Sequence, residues 1–336
     1  MKTVFLTGAT GFVGSYLLQN LLAKGYKVRA LRRKNSPLHL VAPWADAVEW
    51  VVGDIDDEAF LEESLSGVQA VYHSAAFISY QPKDAEQMLQ VNATGTANLV
   101  NAALYAGVEQ FLYVSSIAAL GRKQHQTHYD ENSQWENNSL NSNYAISKFK
   151  GECEVWRGME EGLSAVIVNP SIIMGAGYWS VAAGQFFRRF STRRWLYPRG
   201  GSGFVDVRDV AAASIALMET NIQNQRFILN AENWSYKKLF SHIAESLGQR
   251  PPNWEISDTL AGWAWRADML KARILGVPPT LTRELAHSVQ QTFTYDNQKI
   301  LQSLPNFQFR PLTQTVEDTA KVFLESQKKG LGFGLF

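Results

Sequence analysis

A tyrosine and a lysine four residues apart are the first candidates for chemistry in this 336-residue chain. Tyr144 and Lys148 lie in a predicted helix, where this spacing places both side chains on one face. A phenol becomes a usable acid or base when a nearby ammonium favours its anion. Ser115 and Ser116 end a predicted strand upstream. A carbonyl that accepts a hydride needs a proton donor and a second hydrogen-bond donor, so this set indicates acid–base chemistry at a carbonyl. Read alone, this spacing is common, and two exposed polar residues are the default interpretation.

A glycine-rich segment, residues 7–14, separates the first predicted strand, at 4–6, from the first predicted helix, at 11–24. Glycines allow a tight turn and a close approach of the backbone to a pyrophosphate. The N-terminus of the following helix offers free N–H groups and the positive end of the helix dipole. Because the glycines follow a strand and open a helix, they indicate dinucleotide binding. The expected contacts are Gly8, Thr10, Gly11, Phe12, Val13 and Gly14.

The end of the second predicted strand bears on which nicotinamide cofactor is bound. An acidic residue there hydrogen-bonds the ribose hydroxyl of NAD, but this chain has Arg32 and Arg33 and no acid nearby. Arginine can hold the 2′-phosphate of NADP, so we expect NADP rather than NAD. A solvated basic loop is the alternative. After the third strand, Asp54 and Ile55 are expected beside the adenine or in a turn that starts the next helix, and both roles are compatible.

Strands and helices alternate through the first half of the chain. This pattern predicts an α/β fold with a doubly wound parallel sheet, a Rossmann domain, covered by helices on both faces. The predicted strands are 27–31, 48–52, 70–73, 111–115 and 165–169, and the predicted helices include 57–65, 86–106 and 144–161.

Beyond residue 170 the periodicity weakens, which suggests a smaller, mainly helical lobe that binds the substrate. We expect the dinucleotide-binding domain to span 1–170 and segments near 204–230 to return to it. The lobe then comprises 171–203 and 231–330.

Composition excludes several classes of protein. The chain is 46% hydrophobic with a formal net charge of +1, so it has a sizeable core and no bulk electrostatic attraction to nucleic acid or membrane. Its one cysteine excludes a disulfide framework, and His125 and His128 lack a third ligand, so we expect no metal. No apolar run is long enough to span a bilayer. We therefore expect a cytoplasmic protein with neither a nucleic-acid nor a membrane partner.

The glycine-rich segment, the serines and the tyrosine–lysine pair, in this order, resemble the extended short-chain dehydrogenase/reductase family. The resemblance implies that Tyr144 is the acid/base and that Lys148 lowers its pKa and holds the nicotinamide ribose. Ser116 holds the substrate carbonyl, with Ser115 as the competing choice. Asn92 matches a family asparagine; bracing the helix backbone is its alternative role.

Further segments match the family in order. The resemblance places Ser74, Ala75 and Ala76 beside the cofactor and the segment at residues 170–173 against the nicotinamide. It also implies that Asp209 caps a helix, and that two copies pair through helices 86–106 and 144–161 as a homodimer. The nicotinamide-side residues are Pro170, Ser171, Ile172 and Ile173.

Departures from family patterns narrow the set of candidate reactions. Ile117 and Ala118 stand where 4,6-dehydratases carry an acidic pair, and the apolar stretch at 166–168 resembles the dihydroflavonol reductase and 3β-hydroxysteroid dehydrogenase branch. We expect a reductase of a small carbonyl substrate. A nucleotide-sugar epimerase and a non-catalytic cofactor sensor are the alternatives. Aromatic and apolar residues either line the substrate pocket or form the lobe core: Phe77, Ile78, Tyr80, Met174, Tyr178, Trp179, Phe186 and Phe187.

Overall fold

The computed structural model describes residues 2–79, 81–275 and 288–336. Seven strands form one parallel sheet: β1 (Thr3–Thr7), β2 (Lys27–Arg32), β3 (Glu49–Val52), β4 (Ala70–His73), β5 (Gln110–Val114), β7 (Ala165–Pro170) and β11 (Gln225–Leu229). Their order is β3-β2-β1-β4-β5-β7-β11, and every neighbouring pair is parallel. The predicted doubly wound α/β fold is confirmed.

The central strands are continuous apolar runs because helices cover both faces of the sheet. Every residue of β4 and of β7 is buried, as expected for a parallel sheet with no solvent-facing side. The flanking helices are α1 (Phe12–Ala23), α2 (Glu58–Ser64), α3 (Ala85–Leu89), α4 (Gly95–Tyr105), α5 (Asn143–Glu160) and α7 (Val207–Met218).

The helix predicted at 86–106 is interrupted. A π-helical segment, Gln90–Thr94, separates α3 from α4. It contains Asn92, whose side-chain amide hydrogen-bonds outside the helix to the backbone of Phe77. Such π-bulges often occur at functional sites. Helical periodicity alone does not distinguish this break from a continuous helix.

The rest of the chain forms a lobe with its own core. In the lobe, β10 (Gly201–Asp206) lies between β8 (Ile172–Met174) and β12 (Glu232–Ser235), and β9 (Leu196–Pro198) pairs with β13 (Trp254–Ile256). A further two-stranded sheet joins β14 (Thr294–Tyr295) of the lobe to β6 (His128–Tyr129), which lies within the first 170 residues. Its helices are α6 (Gly184–Phe190), α8 (Tyr236–Ser246), α9 (Asp258–Leu275), α10 (Gln298–Ser303) and α11 (Leu312–Lys328).

Of the segments near 204–230, β11 joins the main sheet and α7 packs against α1, whereas β10 lies in the three-stranded sheet. The expectation that Asp209 caps a helix is wrong. The cap of α7 is Asp206, which accepts a hydrogen bond from the backbone of Arg208. Asp209 is the third residue of the helix and binds Arg310 instead. Which of two nearby aspartates caps a helix depends on where the preceding strand ends.

Candidate active site

The carboxyl ends of the parallel strands form one edge of the main sheet, and the strand order reverses between β1 and β4. Open α/β sheets bind ligands in the crevice at such a reversal. The two strand ends approach so closely that a Cβ on Gly8 would lie 2.7 Å from backbone atoms of Ser74 and Ala75. Gly8 also has a φ of +73°, which side chains rarely adopt. Space and conformation together require glycine here.

Helix α1 begins at this crevice with an N-terminus that no side chain caps. Its N-cap residue, Gly11, is extended, and the first turn contains no acidic residue. A Cβ on Gly14 would lie 2.0 Å from the carbonyl oxygen of Gly8, so glycine lets α1 start directly against β1. Open N–H groups and the helix dipole fit the pyrophosphate of a dinucleotide. The other predicted contacts of this loop lie in the same turn: Thr10, Phe12 and Val13.

The arginines predicted to select NADP lie at the end of β2. Arg32 is its last residue, and the guanidinium carbon lies 6.0 Å from the centroid of the Trp50 ring. The Arg32 Nε is buried and has no hydrogen-bond partner among the residues that the structure describes. Arg33 is exposed. A buried donor without an acceptor fits an anionic group such as a phosphate.

The turn after β3 begins helix α2. Asp57 caps α2 by accepting a hydrogen bond from the Phe60 backbone, and the exposed Asp54 accepts one from Asp56. Ile55 is buried where α4 begins; a Cβ on Gly95 would lie 2.6 Å from its side chain. One of the two predicted roles of this turn, starting a helix, is confirmed, and contact with adenine stays a prediction.

Tyr144 and Lys148 lie in the first two turns of α5. Ser142 caps this helix by accepting a hydrogen bond of 2.9 Å from the Ala145 backbone, which places Tyr144 at the N-terminal end. Tyr144 is half-buried and Lys148 is almost completely buried. The phenol therefore lies nearer the crevice opening, with the ammonium behind it.

The Lys148 ammonium is held against the end of β5. Nζ donates a hydrogen bond of 2.9 Å to the carbonyl oxygen of Val114 and lies 4.2 Å from the centroid of the Tyr113 ring. Burial lowers the Lys148 pKa to about 7, and the Glu152 carboxylate opposes this shift. A lysine with this pKa is partly protonated at neutral pH and responds strongly to nearby charge.

The two candidate serines have different hydrogen bonds. The buried Ser115 Oγ donates to Glu152 Oε2 at 2.8 Å, so its proton is not available for a hydrogen bond to a substrate. The Ser116 Oγ accepts a hydrogen bond from the Ala118 backbone at 3.1 Å and caps the 3₁₀ turn Ile117–Leu120. A hydroxyl that accepts a bond keeps its own proton available to donate. Helix α5 packs against this turn, which brings Ser116 and Tyr144 to the same side of the sheet edge.

Asn92 joins three elements behind the site. Its Oδ1 accepts from the Phe77 backbone at 2.7 Å, and its Nδ2 donates to the Phe77 carbonyl and to Ser147 Oγ, both at 2.9 Å. These bonds connect the loop after β4 to α5. A Cβ on Gly151 would lie 2.2 Å from the Asn92 carbonyl oxygen, so α5 and the π-helical segment are in close contact.

A buried histidine that sequence analysis did not single out supports the ends of β1 and β4. His73 Nε2 lies 2.9 Å from Thr96 Oγ1, whose proton goes to the Asn92 carbonyl, so the ring nitrogen donates. Thr7 Oγ1 lies 2.7 Å from His73 Nδ1 and also accepts from the Ala75 backbone. In a neutral ring that carries its proton on Nε2, Nδ1 is an acceptor, so the Thr7 hydroxyl donates to it. Burial and, secondarily, Lys148 lower the His73 pKa to about 3.

A buried carboxylate, Glu152, was also missed. It accepts hydrogen bonds from Ser115 Oγ at 2.8 Å and Asn169 Nδ2 at 2.9 Å, and it pairs with Arg226 Nη1 at 3.1 Å. The signal for Glu152 was present, because it lies four residues after Lys148 on the same helix face. Nothing local identifies Arg226, which is 74 residues further along the chain.

The remaining predicted contacts lie at the ends of β4 and β7. Ser74 Oγ donates to the Thr7 carbonyl at 2.7 Å, and Ala76 is exposed. Ser171 Oγ donates to the carbonyl of Leu229 at 3.2 Å. Three further predicted contacts end β7 or begin β8: Pro170, Ile172 and Ile173.

The aromatic residues considered for the substrate pocket divide into two groups. Met174, Trp179 and Phe187 are buried in the lobe core, which is the alternative that the sequence offered. Ile78 is exposed beside the crevice loop, and Tyr178 is partly exposed. Tyr80 lies outside the described residues. Within the described ranges, no three His, Cys, Asp or Glu side chains form a metal-binding group.

The fold and the site define a dinucleotide-binding α/β enzyme. Residues 4–230 match the model of the NAD dependent epimerase/dehydratase family. The chain belongs to this family, the extended short-chain dehydrogenases/reductases, and is an oxidoreductase that uses a nicotinamide cofactor.

Three relatives illustrate the range of the family. A protein of Synechocystis sp., provisionally named dihydroflavonol 4-reductase, is 34% identical over 89% of this chain and 88% of its own length. Cinnamoyl-CoA reductase 1 of Petunia hybrida is 27% identical over 96% of this chain and 92% of its own. The crystal structure of gox2253 is similar with a TM-score of 0.83 and 30% identity, covering 98% of this chain and 99% of that one.

Proposed function

We propose that the protein is an NADP-dependent reductase that converts a ketone or aldehyde of a small organic molecule into an alcohol. The observation that carries the proposal is the placement of Tyr144 and Lys148 in adjacent turns of α5, against the turn capped by Ser116. The names of two relatives, a dihydroflavonol reductase and a cinnamoyl-CoA reductase, support a carbonyl substrate.

In this proposal each side chain of the site has a separate role in the reduction of the carbonyl. When bound, the reduced nicotinamide supplies the hydride. Tyr144 donates its phenolic proton to the carbonyl oxygen, and Ser116 donates a second hydrogen bond to the same oxygen. The Lys148 ammonium stabilises the negative charge left on the Tyr144 oxygen. Asn92 positions the loop after β4 against α5 through its three amide hydrogen bonds.

Cofactor selection rests on Arg32 and Arg33. The Arg32 Nε, which has no hydrogen-bond partner in the described part of the chain, and the absence of an acidic residue at the end of β2 favour a 2′-phosphate. In this proposal the open N-terminus of α1 holds the pyrophosphate and the residues after β4 and β7 flank the nicotinamide half.

The division of the chain follows from the same proposal. Segments 171–203 and 231–330 form the lobe that covers the substrate, and residues 1–170 together with β11 bind the cofactor. The partly exposed Ile172 and Ile173 lie between these two parts. They give the substrate side of the crevice an apolar surface.

Replacement of the proposed acid tests the mechanism. We expect Tyr144→Phe to lower kcat by about 10²- to 10⁴-fold while the Kd for NADPH stays within a factor of two or so. Tyr105→Phe, at an exposed position on α4, is the matched control and should keep full activity. Normal turnover in Tyr144→Phe contradicts the assignment.

The type of reaction is tested by a screen of carbonyl compounds and UDP-sugars, following NADPH absorbance and sugar interconversion together. Net loss of NADPH supports the reductase. Interconversion without a change in absorbance supports an epimerase, and tight cofactor binding with neither signal supports a sensor.

Cofactor preference is tested at Arg32. We expect Arg32→Ala to weaken NADPH binding about tenfold or more, since a charge-assisted bond to phosphate is lost, and to leave NADH binding nearly unchanged. Lys34→Ala removes an exposed charge from the same loop and serves as the control. Equal weakening of both cofactors in Arg32→Ala argues for NAD.

A further inference from the structure

The exposed tryptophans are concentrated in one part of the lobe. Among the residues that the structure describes, three tryptophans are exposed: Trp195 by 46%, Trp254 by 63% and Trp263 by 73%. Indoles are large and apolar, so soluble proteins normally bury them at least in part. Leu196 and Leu260 are exposed beside them in the chain. These five residues form what we call the tryptophan patch.

Tertiary structure brings the two halves of the patch together. Strands β9 and β13 pair so that the Trp254 backbone N–H donates to the Trp195 carbonyl at 2.9 Å, and the ring centroids lie 6.1 Å apart. Arg199 pairs with Glu255 at 2.9 Å and with Asp258 at 3.6 Å, which fixes the start of α9 against β9. Trp263 lies one turn further along α9. The patch is therefore built on paired strands and an anchored helix.

Positive charge is concentrated in the segment that carries Trp195, while Glu255 and Asp258 on the other half of the patch pair with Arg199. Residues 188–199 contain five arginines and no acidic residue, although the whole chain has a net charge of only +1. Arg193 stacks on Trp195, with its guanidinium carbon 3.6 Å from the ring centroid. The Arg194 Nε donates to the Arg189 carbonyl. Burial and then Arg194 lower the pKa of Arg189. Like charges crowded beside apolar rings favour an anionic, partly apolar partner.

We propose that the tryptophan patch and the arginines at 188–199 dock the protein on the surface of an anionic lipid bilayer. Tryptophan side chains are enriched at membrane–water interfaces because the apolar ring and the polar N–H suit that boundary. Arginines beside them attract anionic headgroups. A surface of this kind lies on the bilayer without crossing it, and no helix in the described ranges has the length and hydropathy of a membrane span.

The proposal differs from the expectation drawn from composition. A net charge near zero argued against a membrane partner, but that balance averages over the whole chain. Attraction to lipid headgroups falls off within a Debye length, so the charge on the face that meets the membrane determines binding, not the net charge of the chain.

Vesicle flotation of the full-length protein tests the proposal. We expect binding to phosphatidylcholine vesicles that contain phosphatidylglycerol, weaker binding to phosphatidylcholine alone, and loss of binding at high salt. The double variant Arg193→Gln/Arg194→Gln should bind about 25-fold more weakly, at roughly fivefold per arginine. Trp254→Ser should bind about tenfold more weakly. Failure of the wild type to float with anionic vesicles overturns the proposal.

Matched controls separate the patch from general effects. Lys27→Gln/Lys83→Gln removes two exposed charges elsewhere, and Tyr105→Ser removes an exposed ring from α4; both should bind like the wild type. If the controls weaken binding as much as the patch variants do, the proposal is wrong. Quenching of wild-type tryptophan fluorescence by brominated lipid, which needs no variant, should accompany binding. If the patch variants instead abolish self-association in gel filtration and leave vesicle binding unchanged, the surface joins two copies of the chain.

Discussion

Two buried polar clusters lie behind the candidate site, and one is neutral while the other is charged. The neutral cluster contains Thr7, His73 and Thr96 beneath the ends of β1 and β4. The charged cluster contains Glu152 with its partners Ser115 and Asn169, near the ends of β5 and β7, and Arg226, near the start of β11.

The difference shows two ways of burying an ionisable group. In the neutral cluster two hydroxyls satisfy both ring nitrogens, so the uncharged His73 ring makes all of its hydrogen bonds. In the charged cluster Arg226 and two neutral donors satisfy the oxygens of the Glu152 carboxylate. Lys148 interacts with both clusters. Its ammonium helps to lower the pKa of His73, and the Glu152 carboxylate opposes the lowering of the Lys148 pKa by burial.

The largest expected effect comes from emptying the charged cluster. Glu152→Ala leaves Arg226 without its carboxylate and two donors without an acceptor, so we expect a loss of about 3–5 kcal/mol in the free energy of unfolding. Glu154→Ala removes a neighbouring glutamate whose pair with Arg157 is partly exposed; it should cost about 1 kcal/mol or less. Urea denaturation of both variants measures the difference, and similar losses mean that Glu152 is not a buried paired charge.

The neutral cluster should make the free energy of unfolding depend on pH. The folded pKa of His73, about 3, lies below its unfolded value of 6.5, so the unfolded state takes up a proton first as pH falls. Stability contributed by the neutral ring is therefore complete above pH 6.5 and declines below it, by about 1.4 kcal/mol per pH unit until pH 3. Unfolding free energies of wild type and His73→Gln across this range test it. An unchanged slope in the variant contradicts a neutral buried histidine.

The smallest expected effect compares one hydroxyl in each cluster. Ser115→Ala removes a hydrogen bond to a carboxylate and should cost about 2 kcal/mol, because bonds to charged groups contribute more. Thr96→Val removes bonds between neutral groups and should cost about 1 kcal/mol. Thermal unfolding of the two variants ranks them. The reverse order would mean that the charge on Glu152 is already screened by Arg226.

Much of the site follows from local sequence. The strands appear as short apolar runs, and the glycine-rich turn is recognisable because its residues are contiguous. The break between α3 and α4 is different, since the amide bonds of Asn92 go to Phe77 and Ser147 on other elements. The helix cap at Asp206 likewise depends on the end of β10. Local periodicity contains neither piece of information.

The sequence by itself determined the alternation of strands and helices, the open glycine turn and the four-residue spacing of Tyr144 and Lys148, because helix and strand geometry act over a few residues. Only the tertiary structure decided which hydroxyl is committed to Glu152, which ring stays neutral, and that Trp195 and Trp254 share one exposed face. Protonation and exposure depend on burial and on neighbours far apart in the chain. Glu152 and Arg226, 74 residues apart, become partners through the parallel pairing of β7 with β11 and the packing of α5 beneath them.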